Sequence, residues 1–205
     1  MARCEQGTFR VVKLCLAYVI AVAAMVPVPA TAQSAGPPAL AFDGTARTGS
    51  DTRTVRFRFF CSSNEGRDVT GVLAVDLETP RYEQLRAIFD FDPFEGPDST
   101  EGALSALQTS GAHGKADGRF TAAGSAAEGT GALSFVLEVN ASRREAGPLK
   151  KLGTVLRPLL DGPARLVWVQ GNAKKGGAPL TATLDLTPVQ SDQLRAALGP
   201  CLNGR

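Results

Sequence analysis

The sequence predicts an α+β fold: an antiparallel sheet with helices on one face, built from two ββα repeats plus a middle hairpin-and-helix segment. Three observations predict it. Residues 55–87 and 164–196 align without a gap at an offset of 109. Apolar and polar residues alternate on both sides of a polar turn in each copy. A proline and an apolar stripe at helical spacing then close each copy. Alternation is the mark of a half-buried strand, and proline suits the first turn of a helix.

In the first copy Val55, Phe57, Phe59 and Cys61 share one strand face, with Arg56 and Arg58 on the other. Ala164, Leu166 and Trp168 take the matching positions in the second copy. Leu73, Val75 and Leu77 face inward on one return strand, and Ala182, Leu184 and Leu186 on the other. The turns SSNEGRD (62–68) and GNAKKGG (171–177) are rich in turn formers. Thr79-Pro80 and Thr187-Pro188 read as helix starts with threonine N-caps. Each helix is expected to lie on its own hairpin. Seven of the 33 aligned positions are identical, among them Arg56/Arg165, Asp76/Asp185 and the Gln-Leu-Arg-Ala run at 84–87 and 193–196.

Strands are also expected at Arg119–Ser125 and Gly131–Ala141. A helix follows Pro148, carrying Leu149, Leu152, Val155, Leu156 and Leu159, and Pro158 ends or kinks it. Residues 33–52 are rich in Gly, Pro, Ser and Thr and read as a flexible lead-in. Residues 53–205 are left as a single α+β domain.

Residues 1–32 read as a signal peptide of the Sec type. Arg3, Arg10 and Lys13 precede the apolar run Leu14–Pro27, and Ala30-Thr31-Ala32 is a small-x-small cleavage pattern. The run is shorter than the roughly 20 residues a spanning helix needs, so no membrane span is expected after cleavage. The expected location is the bacterial periplasm or the medium. Cleavage removes Arg3, Arg10, Lys13 and Glu5, which lowers the 22 basic and 20 acidic residues to 19 of each. A neutral chain carries no footprint for nucleic acid. The mix of 43% hydrophobic and 20% charged residues excludes a disordered or fibrous chain. Cys4 and Cys15 leave with the signal. Cys61 and Cys201 remain, and in an oxidising compartment they are expected to form a disulfide.

Catalytic patterns are weak. His113 is the sole histidine and sits in the Gly-rich stretch SGAHGK. No Gly-x-Ser-x-Gly elbow accompanies it, and the stretch lacks the pattern of a phosphate-binding loop. Asp90 and Glu101 have the end spacing of a calcium loop. However, Phe94 stands where an oxygen ligand belongs, and the run with Asp92, Glu95 and Asp98 reads as a solvated acidic loop. Asn140-Ala141-Ser142 is a glycosylation sequon, of consequence in a eukaryotic source alone. No catalytic residue, metal or cofactor is expected. The pairs Arg56/Asp76 and Arg165/Asp185 read as cross-strand ion pairs.

The resulting expectation is an exported, non-enzymatic binding or interaction protein, whose partner is another protein or a small ligand, apolar ligands included. The alternatives are a hydrolase-type enzyme using His113 or the acidic loop 90–101, and a structural envelope protein.

Overall fold

Among the described residues nine antiparallel strands form one curved sheet, a half-barrel, with few and short helices. The computed structural model describes residues 39–63, 71–90, 105–127, 131–141 and 146–202. The expected signal peptide, the lead-in up to residue 38 and the acidic run 91–101 lie outside them, as do most of the first turn and Ser142 of the sequon. The strands are β1 (Leu40–Thr48), β2 (Asp51–Ser63), β3 (Gly71–Thr79), β4 (Ser105–Gly111), β5 (Gly114–Phe120), β6 (Ala123–Ala127), β7 (Ala132–Ala141), β8 (Ala164–Gln170) and β9 (Leu180–Leu186). The helices are α1 (Tyr82–Leu85), α2 (Ala146–Leu156) and α3 (Pro188–Leu202), with a 3-10 turn at Arg157–Leu159. The spatial order is β5-β4-β8-β9-β1-β2-β3-β7-β6.

The expected architecture of two ββα repeats with helices laid on one face is therefore overturned. The two hairpins exist, β2–β3 and β8–β9, but they are parts of one sheet joined through β1. The helices do not go one to a hairpin. α1 is a single turn, started by Arg81 in the left-handed conformation (φ 55°) rather than capped by Thr79. Thr79 is instead the buried last residue of β3. α3 follows the second hairpin yet packs mainly on β2 of the first. Its start does show the capping box: the Gln190 amide donates to Thr187 Oγ1 (3.3 Å), and the Thr187 amide donates to Gln190 Oε1 (2.9 Å).

Two physical facts hid this arrangement. First, past Phe42 the inward residues of β1 are small. Phe42, Gly44, Ala46 and Thr48 face the core, and this pattern gives almost no hydrophobic alternation. A Cβ at Gly44 would lie 2.5 Å from the Thr183 carbonyl and 2.7 Å from the Phe57 ring. The glycine is needed where β1 crosses that ring. Residues 40–52, read by composition as flexible, thus supply β1 and the start of β2 at mid-sheet. Second, α1 ends where other chain segments bond the carbonyls that would follow it in a longer helix. Lys174 Nζ donates to the carbonyls of Arg86 (2.6 Å) and Ala87 (2.9 Å), and Asn172 Nδ2 donates to that of Ile88 (2.9 Å). The GNAKKGG turn thereby clamps the chain just past α1.

One apolar cluster fills the concave side. Phe57, Leu73, Leu77, Leu133, Leu166 and Trp168 from the strands are fully buried, as are Leu152, Leu194 and Leu198 from α2 and α3. Burying such side chains stabilises the fold by roughly 1.5–3 kcal/mol each. Leu152, Leu194 and Leu198 join the same cluster as the strand residues, so α2 and α3 pack on the sheet through them. No helix among the described residues is long and apolar enough to cross a membrane.

Candidate functional site

β5 and β6 are nearly one strand. Only Thr121 and Ala122 separate them, yet they pair with opposite ends of the sheet: β5 with β4, β6 with β7. The curved sheet therefore brings its two edges together at this corner. The β6–β7 ladder runs from Ala127↔Ala132 to Ala123↔Val136 and stops. Beyond that rung the edges separate and leave a wedge-shaped cleft of 390 Å³. Its walls are Arg119, Phe120 and Thr121 on one side and Leu137, Glu138 and Val139 on the other, and Gly147, Pro148 and Lys151 of α2 close it from within.

The local sequence explains how α2 comes so close. Gly118 has no side chain to hold the helix away, and a Cβ there would lie 3.0 Å from Val155 Cγ2. Thr109 Oγ1 of β4 donates to the Val155 carbonyl at 2.5 Å. The helix is thus fastened to the β4–β5 hairpin. Lys151 then reaches over the cleft floor. Its ammonium lies 4.9 Å from the centre of the Phe120 ring and donates to the Arg119 carbonyl at 2.6 Å. A ring face attracts a cation, which fixes the lysine in place. The cleft combines an apolar floor with two cations and one carboxylate at its lips. Its polar lining is Arg119, Thr121, Glu138 and Lys151.

Glu138 links the cleft to a charged cluster on the convex face. Arg58 of β2 stands opposite Asp76 of β3 and lies 3.5 Å from it, and 3.5 Å from Glu78. Burial pushes the Asp76 carboxyl above its usual 3.8; the Arg58 charge opposes the rise, and Glu138 and Glu78 add to it. A raised native pKa means that the folded chain holds this proton more tightly than the unfolded chain. The resulting stability is complete below pH 3.8 and is lost as pH rises through the native value. Asp76→Asn is therefore expected to stabilise the fold at pH 7, with an advantage that vanishes below pH 3.8. Urea melts of both proteins across pH 3–8 check this; equal midpoints at pH 7 would refute it.

The sequence-derived residues fall as follows. Arg165 and Asp185 are cross-strand partners with a 2.6 Å contact. Arg56 does not meet Asp76. It stands opposite Asp43 on one side and Glu78 on the other, and bonds Asp43 at 3.2 Å. Asp76 takes Arg58, two rungs along, so the two copies are not symmetric here. Cys61 and Cys201 are bonded, with 6.0 Å between Cα atoms. His113 lies in the exposed two-residue turn between β4 and β5. Asp90 uses its backbone to hold the GNAKKGG turn: its amide donates to Asn172 Oδ1 and its carbonyl accepts from the Ala173 amide. No three candidate ligands gather to hold a metal among the described residues.

Sequence reading missed Arg119, Phe120, Glu138 and Lys151. The signal that could have found them is a strand expected to run unbroken over 119–125, whose apolar parity fails at Thr121-Ala122-Ala123. No protein-family model, no curated protein and no solved structure matches the chain.

Proposed function

We propose that this is an exported, non-enzymatic binding protein of the periplasm or medium, and that the wedge between β5 and β7 is its binding site. The carrying observation is the broken ladder: a strand pairing that ends at Ala123↔Val136 and opens a 390 Å³ cleft with apolar floor and charged lips. Sites that hold small ligands or peptide side chains have this size and this mix. The bonded cysteines are compatible with an extracytoplasmic protein.

Gly147 supplies the test. It lines the cleft, and a Cβ placed on it meets nothing within 4 Å. Gly147→Trp fills the cleft without disturbing the core. The wild-type protein, isolated unreduced from its native host, is expected to carry an extra mass in native mass spectrometry, and the variant is expected to lose it. An adduct that survives Gly147→Trp, or a chain that emerges bare, counts against the site. A substrate turned over by the pure protein would sink the non-enzymatic reading.

A further inference from the structure

The register of the broken ladder says what is missing from the cleft. If β6–β7 pairing continued, Ala122 would stand opposite Leu137, Thr121 opposite Glu138, Phe120 opposite Val139 and Arg119 opposite Asn140. None of these pairs is made. On the β7 side, Leu137–Ala141 pair with β3 along one edge and with no strand along the other, among the described residues. That edge is about 17 Å long at the usual rise of a strand. On the β5 side, the two-residue turn makes Gly111–Gly114 a hydrogen-bonded pair. Residues 116, 118 and 120 then face β4, and residues 115, 117 and 119 direct their amides and carbonyls toward the open edge. The Arg119 carbonyl takes its hydrogen bond from Lys151 Nζ. A side-chain donor thus stands where the N–H of a neighbouring strand would be.

We infer that the wedge takes an extended segment of a partner polypeptide, which adds as a strand along Leu137–Ala141 and displaces Lys151 from the Arg119 carbonyl. The inference rests on the binding reading above and names its ligand class. Backbone edges with unmet hydrogen bonds are answered by another backbone, in the manner of strand addition. Side chains of the guest that point inward meet Phe120, Leu137 and Val139, which calls for apolar residues at every second position. Those between them emerge beside Arg119 and Glu138 and are polar.

A displayed library of random heptapeptides, selected on the wild-type protein and counter-selected on Gly147→Trp, tests this. Peptides with alternating apolar and polar residues are expected to be enriched. On binding they should slow amide exchange at residues 137–141 by about tenfold or more. Methylating the peptide nitrogens of one edge should abolish binding, because the side chains are unchanged while the donors are gone. Lys151→Ala frees the Arg119 carbonyl, so peptide binding should tighten by about two- to tenfold, the worth of one net hydrogen bond. A thermal melt shows that this variant is folded.

The opposite sign separates the ligand classes. A carboxylate amphiphile such as laurate, held by the lysine, would bind the wild type, fail on Gly147→Trp and weaken on Lys151→Ala. That result keeps the cleft and overturns the strand. Enrichment of no peptide, or undiminished binding of the methylated peptides, also overturns it. Self-association that rises with concentration and disappears in Gly147→Trp would make the guest a second copy and overturn the partner. Binding of neither peptide nor amphiphile overturns both this inference and the cleft reading.

Discussion

Replacing Cys61 and Cys201 together by serine lowers the stability of the folded chain by about 3–5 kcal/mol. The bond spans 140 residues of sequence. Closing so long a loop removes more freedom from the unfolded chain than a short link does, and the chain-entropy relation gives about 5 kcal/mol as its ceiling. The structure says where the loss is felt. Cys201 sits in the last turn of α3, and Cys61 lies on β2, the strand against which α3 chiefly packs. Leu194 and Leu198 remain fully buried along the same contact, so α3 stays docked through them and frays from its C-terminal end. Guanidine melts with and without reductant provide the measurement. The wild type under reductant should coincide with the double serine variant. Coincidence of the oxidised and reduced wild-type curves would mean that the cysteines are not joined in solution.

The same helix shows why the fold class was misread. The first hairpin is legible because Val55, Phe57 and Phe59 alternate with Arg56 and Arg58, and the second because Ala164, Leu166 and Trp168 keep the same two-residue period; those strands form. Which helix covers which hairpin is not written in any alternation. It depends on β1, which enters between β9 and β2 and shifts the second hairpin sideways. β1 escaped notice because Gly44, Ala46 and Thr48 are chosen to make room rather than to add apolar surface. Proline and threonine before residue 82 promised a helix, but the carbonyls it would have used are taken by Asn172 and Lys174 across about 85 residues of sequence. The ion pairs followed the same rule. Arg165 meets Asp185 because the hairpin register alone decides it, while Arg56 is drawn off by Asp43 of β1. The cleft was not legible at all. It is a property of where a ladder stops, and no residue type marks a missing rung.

Trp168→Ala is expected to cost about 3–5 kcal/mol, the usual loss for deleting a large aromatic from a packed core. Trp168 is fully buried on β8, opposite Leu107 of β4 and Ala182 of β9. It also belongs to a buried polar group. Ser105 Oγ donates to Gln170 Oε1 at 2.5 Å, and Trp168 Nε1 reaches the same oxygen at 3.4 Å. All three residues have no exposed surface, so water cannot replace a lost partner. Gln170→Leu keeps the volume but strips both donors of their acceptor, and it should cost about 2–4 kcal/mol. Trp168→Phe removes one donor together with its need and should cost the least of the three. The consequence reaches the cleft through β4. That strand is held by β8 on one side and holds β5, one wall of the wedge, on the other. Loosening at Trp168 therefore frees β5 before it touches α3. Amide exchange should accelerate at 105–120 more than at 55–63 in Trp168→Ala, while loss of the disulfide should accelerate the C-terminal turn of α3. Uniform acceleration in both variants would mean that the wall of the cleft has no stability of its own apart from the whole sheet. A binding strand would then have to order it as well as pair with it, and its affinity would fall accordingly.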